Sequence, residues 1–204
     1  MLKMNRQSKK VTPKVVDGTV RKKNRHALTP TYWNTKQPIP VIDKEDPGPG
    51  YKHFLTKKDV LNFIDIIPNW EELSKSLNGI LLSRGDTTAE GLHSAHYGVI
   101  AICAWPRNMW VEYTTEAYEE HKNIFERLDV ECEKKKEYYI CKFNEKSIRA
   151  FQLLHIFLHE LGHHHDKMTT KKKRQCGRGE LYAEQYALKN ESIIWDKYFE
   201  KYGI

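Results

Sequence analysis

The stretch His159-Glu160-Leu161-Gly162-His163 constrains this chain more than any other, because it places two imidazoles four residues apart at the end of an apolar run that begins near Ala150. Residues at i and i+4 of a helix lie one above the other, about 5–6 Å apart at Cβ. Two such histidines can reach one metal ion at the usual ~2.0–2.1 Å bond length. Glu160 points to the flank of the same face, where its carboxylate can take a proton from a metal-polarised water and pass it to a leaving amine. Ala150 to Leu158 is mostly apolar, so this helix is expected to be central and buried, where unpaired His and Glu are costly.

A zinc ion held in this way needs a third protein ligand and keeps one position open. The continuation His-x-x-Gly-x-x-His would require glycine at 166 and histidine at 169, but the chain has Asp166 and Thr169. It continues instead into Arg178-Gly179-Glu180-Leu181-Tyr182-Ala183-Glu184-Gln185-Tyr186-Ala187, a second helical segment with carboxylates at i and i+4. Here the sequence resembles the gluzincins, whose third ligand is a Glu on a later helix in an E-x-x-A-(D/N/E) context. The resemblance is nearest to the compact ImmA/IrrE type and covers residues from about 138 to 190. It implies a minimal zincin-like domain of α+β class, in which a mixed sheet lays an edge strand beside the metal helix.

The same resemblance assigns Glu180 as third ligand and implies one Zn2+ per chain and hydrolysis of a peptide bond, with Glu160 as general base and then acid. Ala183 and Ala187 are small enough for close packing on the metal helix, and Glu184 could accept the other ring N–H of a ligand histidine. Glu184 as the ligand, with Glu180 favouring the helix start, stays open as the alternative. The developing oxyanion needs a donor, for which Tyr182, Tyr186, Arg178 and His96 are candidates. His155 extends the histidine stripe but sits too far along it to converge on the same ion. His164 and His165 read as exposed residues at the helix end, and His93 and His96 as ordinary loop histidines.

The net charge of +7 is unevenly placed, since residues 1–25 hold nine Lys/Arg against Asp17 alone. The remainder is near neutral, so overall charge gives no argument for nucleic-acid binding by the body of the protein. The basic stretch itself could hold nucleic acid or an acidic partner, although a solubilising tail is the commoner meaning of such a run. No apolar segment is long enough to span a bilayer, and residues 1–25 lack a secretory apolar region. A soluble, cytoplasmic protein without membrane contact is expected. The cysteines Cys103, Cys132, Cys141 and Cys176 form no C-x-x-C pair and read as buried or idle thiols, with Cys132 and Cys141 facing each other if a hairpin brings them together.

Residues 1–48 are basic and then proline-punctuated, and read as a weakly structured arm, with Tyr32 and Trp33 as a possible anchor. Asp46-Pro47-Gly48-Pro49-Gly50 marks the boundary, giving a peptidase domain over 49–204. Thr56 should cap a helix and Pro68 end it, with a second short helix over 70–77. Ile80-Leu81-Leu82 suggests a strand, 84–96 a loop, and 97–105 a buried strand returning as a hairpin at 109–114. A helix over 116–128 and a second hairpin, 130–132 with 138–143, lead to Asn144 or Ser147 as cap of the metal helix. Two other functions are compatible with this pattern: a regulatory protease recruited by nucleic acid or a protein partner, and a zinc-containing binding module without hydrolytic activity.

Overall fold

The structure, a computed structural model, describes residues 15–16, 19–20, 31–170 and 177–203. The chain divides into two compact units, Met1–Thr31 and Tyr32–Ile204. In the first, β1 (Val15–Val16) pairs antiparallel with β2 (Thr19–Val20). The rest of the basic stretch 1–25, and residues 171–176, lie outside the described residues.

The second unit is α+β, with a mixed four-stranded sheet. It opens with β3 (Val41–Lys44) and β4 (Tyr51–Lys52), then α1 (Lys57–Ile64), α2 (Trp70–Leu73) and β5 (Gly79–Ser83). β6 (Gly91–Ser94), β7 (Val99–Cys103), β8 (Trp105–Pro106) and β9 (Trp110–Thr114) follow. The helix α3 (Thr115–Arg127) and the strands β10 (Glu131–Lys134) and β11 (Tyr138–Lys142) lead to α4 (Glu145–Phe151). A π-helical segment, Gln152–Phe157, joins α4 to α5 (Leu158–Thr169), and α6 (Gly179–Tyr202) closes the fold.

The sheet order is β3-β5-β7-β6, with β3, β5 and β7 parallel and β6 antiparallel at the edge. β5 and β7 are buried along their whole length, as continuous apolar runs covered on both faces should be. Ile80, Leu82, Ile100 and Ile102 face the main core with Phe157 and Leu161, while Leu81, Val99 and Ala101 are covered by Tyr32 and Trp33. The tyrosine and tryptophan therefore do anchor their segment.

Several local expectations are corrected. The folded unit takes in residues 32–48, because β3 pairs in register with β5, from Val41 against Gly79 to Lys44 against Leu82. Residues 97–105 and 109–114 form no hairpin: β5 and β6 already occupy both edges of β7, and β9 pairs with β11 in a separate sheet ordered β10-β11-β9. Residues 84–96 are not all loop, since Gly91–Ser94 is the edge strand. The second helix stops at Leu73. Cys132 and Cys141, opposite each other in the β10–β11 register, form a disulfide rather than idle thiols.

Capping follows the sequence more closely. Thr56 and Asp59 make a reciprocal capping box on α1, and Asn144 and Ser147 make another on α4, so both proposed residues serve that helix. Gln152 donates its amide to the Cys103 carbonyl at 2.8 Å, which ties the helical run to the centre of the sheet.

α6 packs along α5 with very little space at Gly162. A Cβ there would stand 2.9 Å from Ala183 Cα and 3.0 Å from its carbonyl oxygen. Gly162→Ala should therefore destabilise the protein: helix propensity would return about 1 kcal/mol, against roughly 1–3 kcal/mol for forcing two backbones apart. A net loss on denaturant titration is expected, and a net gain would contradict the close crossing.

Further along α6, Glu191 is buried and paired with Arg127 of α3, whose guanidinium also lies 3.5 Å from the centre of the Trp195 ring. Burial pushes the Glu191 carboxyl up to about 7, more than the arginine draws it down. The folded chain thus holds this proton more tightly than the unfolded one, and the associated stability is complete below about pH 4.5 and lost as pH rises through about 7. Relative to Glu191→Gln, the wild type should lose on the order of 2–3 kcal/mol across that interval, read from unfolding titrations at matched pH. An unchanged difference would contradict the burial effect.

Candidate metal centre

α5 begins one residue before His159, directly after the π-helical segment, and carries His159, Glu160 and His163. Wide helical turns of this kind are frequent beside functional sites. Glu180 is the second residue of α6 and projects its carboxylate back across both imidazoles. Its Oε2 stands 3.1 Å from His159 Nε2 and 3.2 Å from His163 Nε2. For an ion with four tetrahedral bonds of ~2.0–2.1 Å, neighbouring donor atoms are roughly 3.3 Å apart. The three donor atoms all lie within 4.8 Å of one another, and they are the one such group of three among the described residues. Two imidazoles and a carboxylate suit zinc, and the side chain of Glu180 is 82% exposed, which leaves the centre open on that side.

Glu184 occupies the position one helical turn beyond Glu180 and serves a different atom. Its Oε2 accepts the Nδ1–H of His159 at 3.2 Å, which leaves Nε2 of that ring directed at Glu180. The same oxygen lies 3.6 Å from His155 Nε2. His155 is buried, stacked on Phe151 and edge-on to His121, and burial pulls its imidazole down to about 3. It is therefore neutral and faces Glu184 rather than the three-residue cluster. Burial tends to raise the Glu184 carboxyl, but the His159 hydrogen bond and the neighbouring imidazoles outweigh it and keep it ionised.

Glu160 is wedged between α5 and the edge strand. A Cβ at Gly91 would meet Glu160 Oε1 at 2.8 Å and Ile156 Cγ2 at 2.6 Å, so only glycine lets β6 pass so near the carboxylate. Glu160 also accepts a hydrogen bond from the backbone of His93. The residue is 8% exposed, and burial raises its carboxyl to about 7, with Glu180 adding to the rise and His159 and His93 opposing it. A carboxylate so poised can accept a proton and release it again near neutrality.

The four candidates for the oxyanion donor each make a contact of their own. The Tyr182 hydroxyl lies 2.7 Å from His165 Nδ1, and the Tyr186 ring packs against His165 as well. Arg178 forms an ion pair with Asp166, and His96 packs edge-on to Tyr97. His164 is not an exposed helix-end residue: it is wholly buried, and its Nε2–H donates to the Lys75 carbonyl at 2.9 Å. His165 is half-buried. His93 sits on β6 with its ring parallel to that of His163, 6.4 Å away, so it belongs to the wall of the site and not to a loop. Cys103 is buried and unbonded to another cysteine, and Cys176 lies outside the described residues.

Asp166, Gly91 and the buried place of His164 are not foreseen from the sequence. Asp166 had a detectable signal, since it follows His163 by three residues and falls on the same side of the helix. Gly91 had none, because an isolated glycine among polar residues reads as loop.

No family model, curated protein or solved structure matches the chain. The ordering role of Glu184 gives a direct expectation. Glu184→Gln should keep the fold but weaken zinc affinity about 10- to 100-fold, measured by competition with a chromophoric chelator. Unchanged affinity would show that His159 needs no such partner.

Proposed function

We propose that this protein is a zinc-dependent peptidase of gluzincin type, with His159, His163 and Glu180 holding the metal. The observation that carries the reading is the meeting of the Glu180 carboxylate with both Nε2 atoms of the HELGH histidines, 3.1 and 3.2 Å away. Bound zinc would supply Lewis acidity toward a carbonyl oxygen and toward water. Glu160 takes the proton of the attacking water and returns it to the leaving amine, a role suited to its burial and to its fixed place under β6. Glu184 holds the His159 tautomer, and His155 lies beside the same carboxylate oxygen.

A peptide substrate is favoured by the edge strand. Among the described residues β6 pairs only with β7, and on its other side the His93 N–H meets Glu160, so an extended chain laid along α5 would join this edge beside the carboxylate. The short span between Gly91 and Glu160 would then bring a scissile bond near the carboxylate. Among the described residues no helix is long and apolar enough to cross a membrane.

Elemental analysis of the purified wild type, Glu160→Gln and Glu180→Ala, with each protein also run against a mixed-protein digest, tests this reading. One zinc per chain is expected in wild type and Glu160→Gln and a weakened content in Glu180→Ala. Cleavage should be confined to wild type, with a drop of at least about 100-fold in Glu160→Gln. Full activity in Glu160→Gln, or no zinc in wild type after reconstitution, would overturn it.

A further inference from the structure

Glu180 is the most exposed member of the cluster and stands in the first turn of its helix, where ends fray and side chains wander. Something must fix where that turn starts. The backbone N–H groups of a first helical turn have no partners within the helix, and the residue before α6, Arg178, supplies no side-chain cap to its own helix. The missing acceptor comes from α5. Asp166 is wholly buried, and its Oδ2 accepts the Arg178 N–H at 2.8 Å and the Gly179 N–H at 3.4 Å. Its Oδ1 accepts Arg178 Nε at 2.7 Å. Arg178 also donates to Thr169 Oγ1 on α5, and its guanidinium lies 3.7 Å from the centre of the Tyr182 ring.

Gly179 is shaped for this contact. Its φ is +71°, and an added Cβ would meet nothing within 4 Å, so glycine is needed there for backbone conformation and not for space. The chain turns sharply at this residue, and the next one is Glu180.

We infer that Asp166, through Arg178 and Gly179, is a positioning residue that indexes α6 against α5 and thereby sets the Glu180 carboxylate over His159 and His163. The inference rests on the reading of Glu180 as a metal ligand. Two fixed points define the placement. Gly162 against Ala183 sets the closeness of the helices, and Asp166 against residues 178 and 179 sets their relative advance. His163 and Asp166 are three residues apart on one helix, and Gly179 and Glu180 are adjacent on the other, so a slip at the clamp is transmitted directly to the cluster.

The test is a double-mutant cycle on the full chain, read as zinc affinity by chelator competition for wild type, Asp166→Asn, Glu180→Ala and the double variant. Asp166→Asn should weaken zinc binding about 10- to 100-fold, and in the Glu180→Ala background the same substitution should change affinity less than about twofold. A loss of equal size in both backgrounds, or no loss in the first, would overturn the inference. General loosening of the fold would weaken both backgrounds alike, so the cycle separates positioning from stability.

Should Asp166→Asn fail to fold, Arg178→Ala decides, since it removes only the guanidinium arm of the clamp from a surface residue. It should weaken zinc binding several-fold in the wild-type background and leave the Glu180→Ala background unchanged, and any other pattern would overturn the inference. Amide exchange in the metal-free chain supplies a second readout. In either variant it should quicken at residues 181–183 before the far end of α6, and a uniform change along the helix would contradict a local clamp. A wild type that binds no zinc would remove the ligand role of Glu180 and the clamp's purpose with it. A wild type that binds zinc, with variants unaffected, would remove the clamp alone.

Discussion

The crossing of α5 and α6 is the contact on which the rest of the molecule depends. Where Gly162 meets Ala183 the two backbones approach too closely to leave room for a Cβ at residue 162, and Ala187, one turn on from Ala183, is equally buried. That closeness places two residues of α6 at opposite ends of one imidazole, Glu180 at His159 Nε2 and Glu184 at Nδ1. The four-residue spacing of the glutamates matches the helical repeat, so both address the same face. A larger residue at 162 or 183 would separate the helices and disperse the cluster. Close helix packing is thus the condition for bringing the donors together, and the apolar surroundings of the crossing do much of the stabilising.

The same packing places an unusual density of polar groups in or beside the core. Glu160, His155, His164, Asp166 and Glu191 are all buried, and each must be compensated or altered in charge. The solutions differ. Asp166 stays ionised because burial is outweighed by the side-chain and backbone donors of Arg178. His155 and His164 are driven toward the neutral form by burial. Glu160 falls between these extremes, raised to about 7 by burial and restrained by His159 and, less, by the His93 backbone. A carboxyl that exchanges its proton near neutrality is costly to fold around and useful for acid–base chemistry, and here it lies one residue from a candidate ligand and under an edge strand.

Much of the candidate site was legible in the sequence because its signals are local. The i, i+4 histidines and the later Glu180 within a helical pattern depend on spacing that a helix fixes, and the structure brings those three side chains together. Caps at Thr56 and Asn144 and the β10–β11 hairpin were legible for the same reason. The failures concern pairings between distant segments. β7 reads as the first arm of a hairpin because an apolar run followed by Pro106-Arg107-Asn108 looks like a turn, yet both its edges are taken by β5 and β6. Val41–Lys44 lies among prolines and charges and is a strand only because β5 presents a free parallel edge. Gly91–Ser94 is polar and short, and its strand character comes from β7 alone.

The central claim is that two imidazoles and one carboxylate of this chain together bind zinc. X-ray absorption at the zinc edge on the reconstituted 204-residue chain addresses it most directly. The expected first shell holds nitrogen and oxygen only, at ~2.0–2.2 Å, with two imidazole scattering patterns per zinc. A shell containing sulfur at ~2.3 Å, or one with no imidazole contribution, would contradict it.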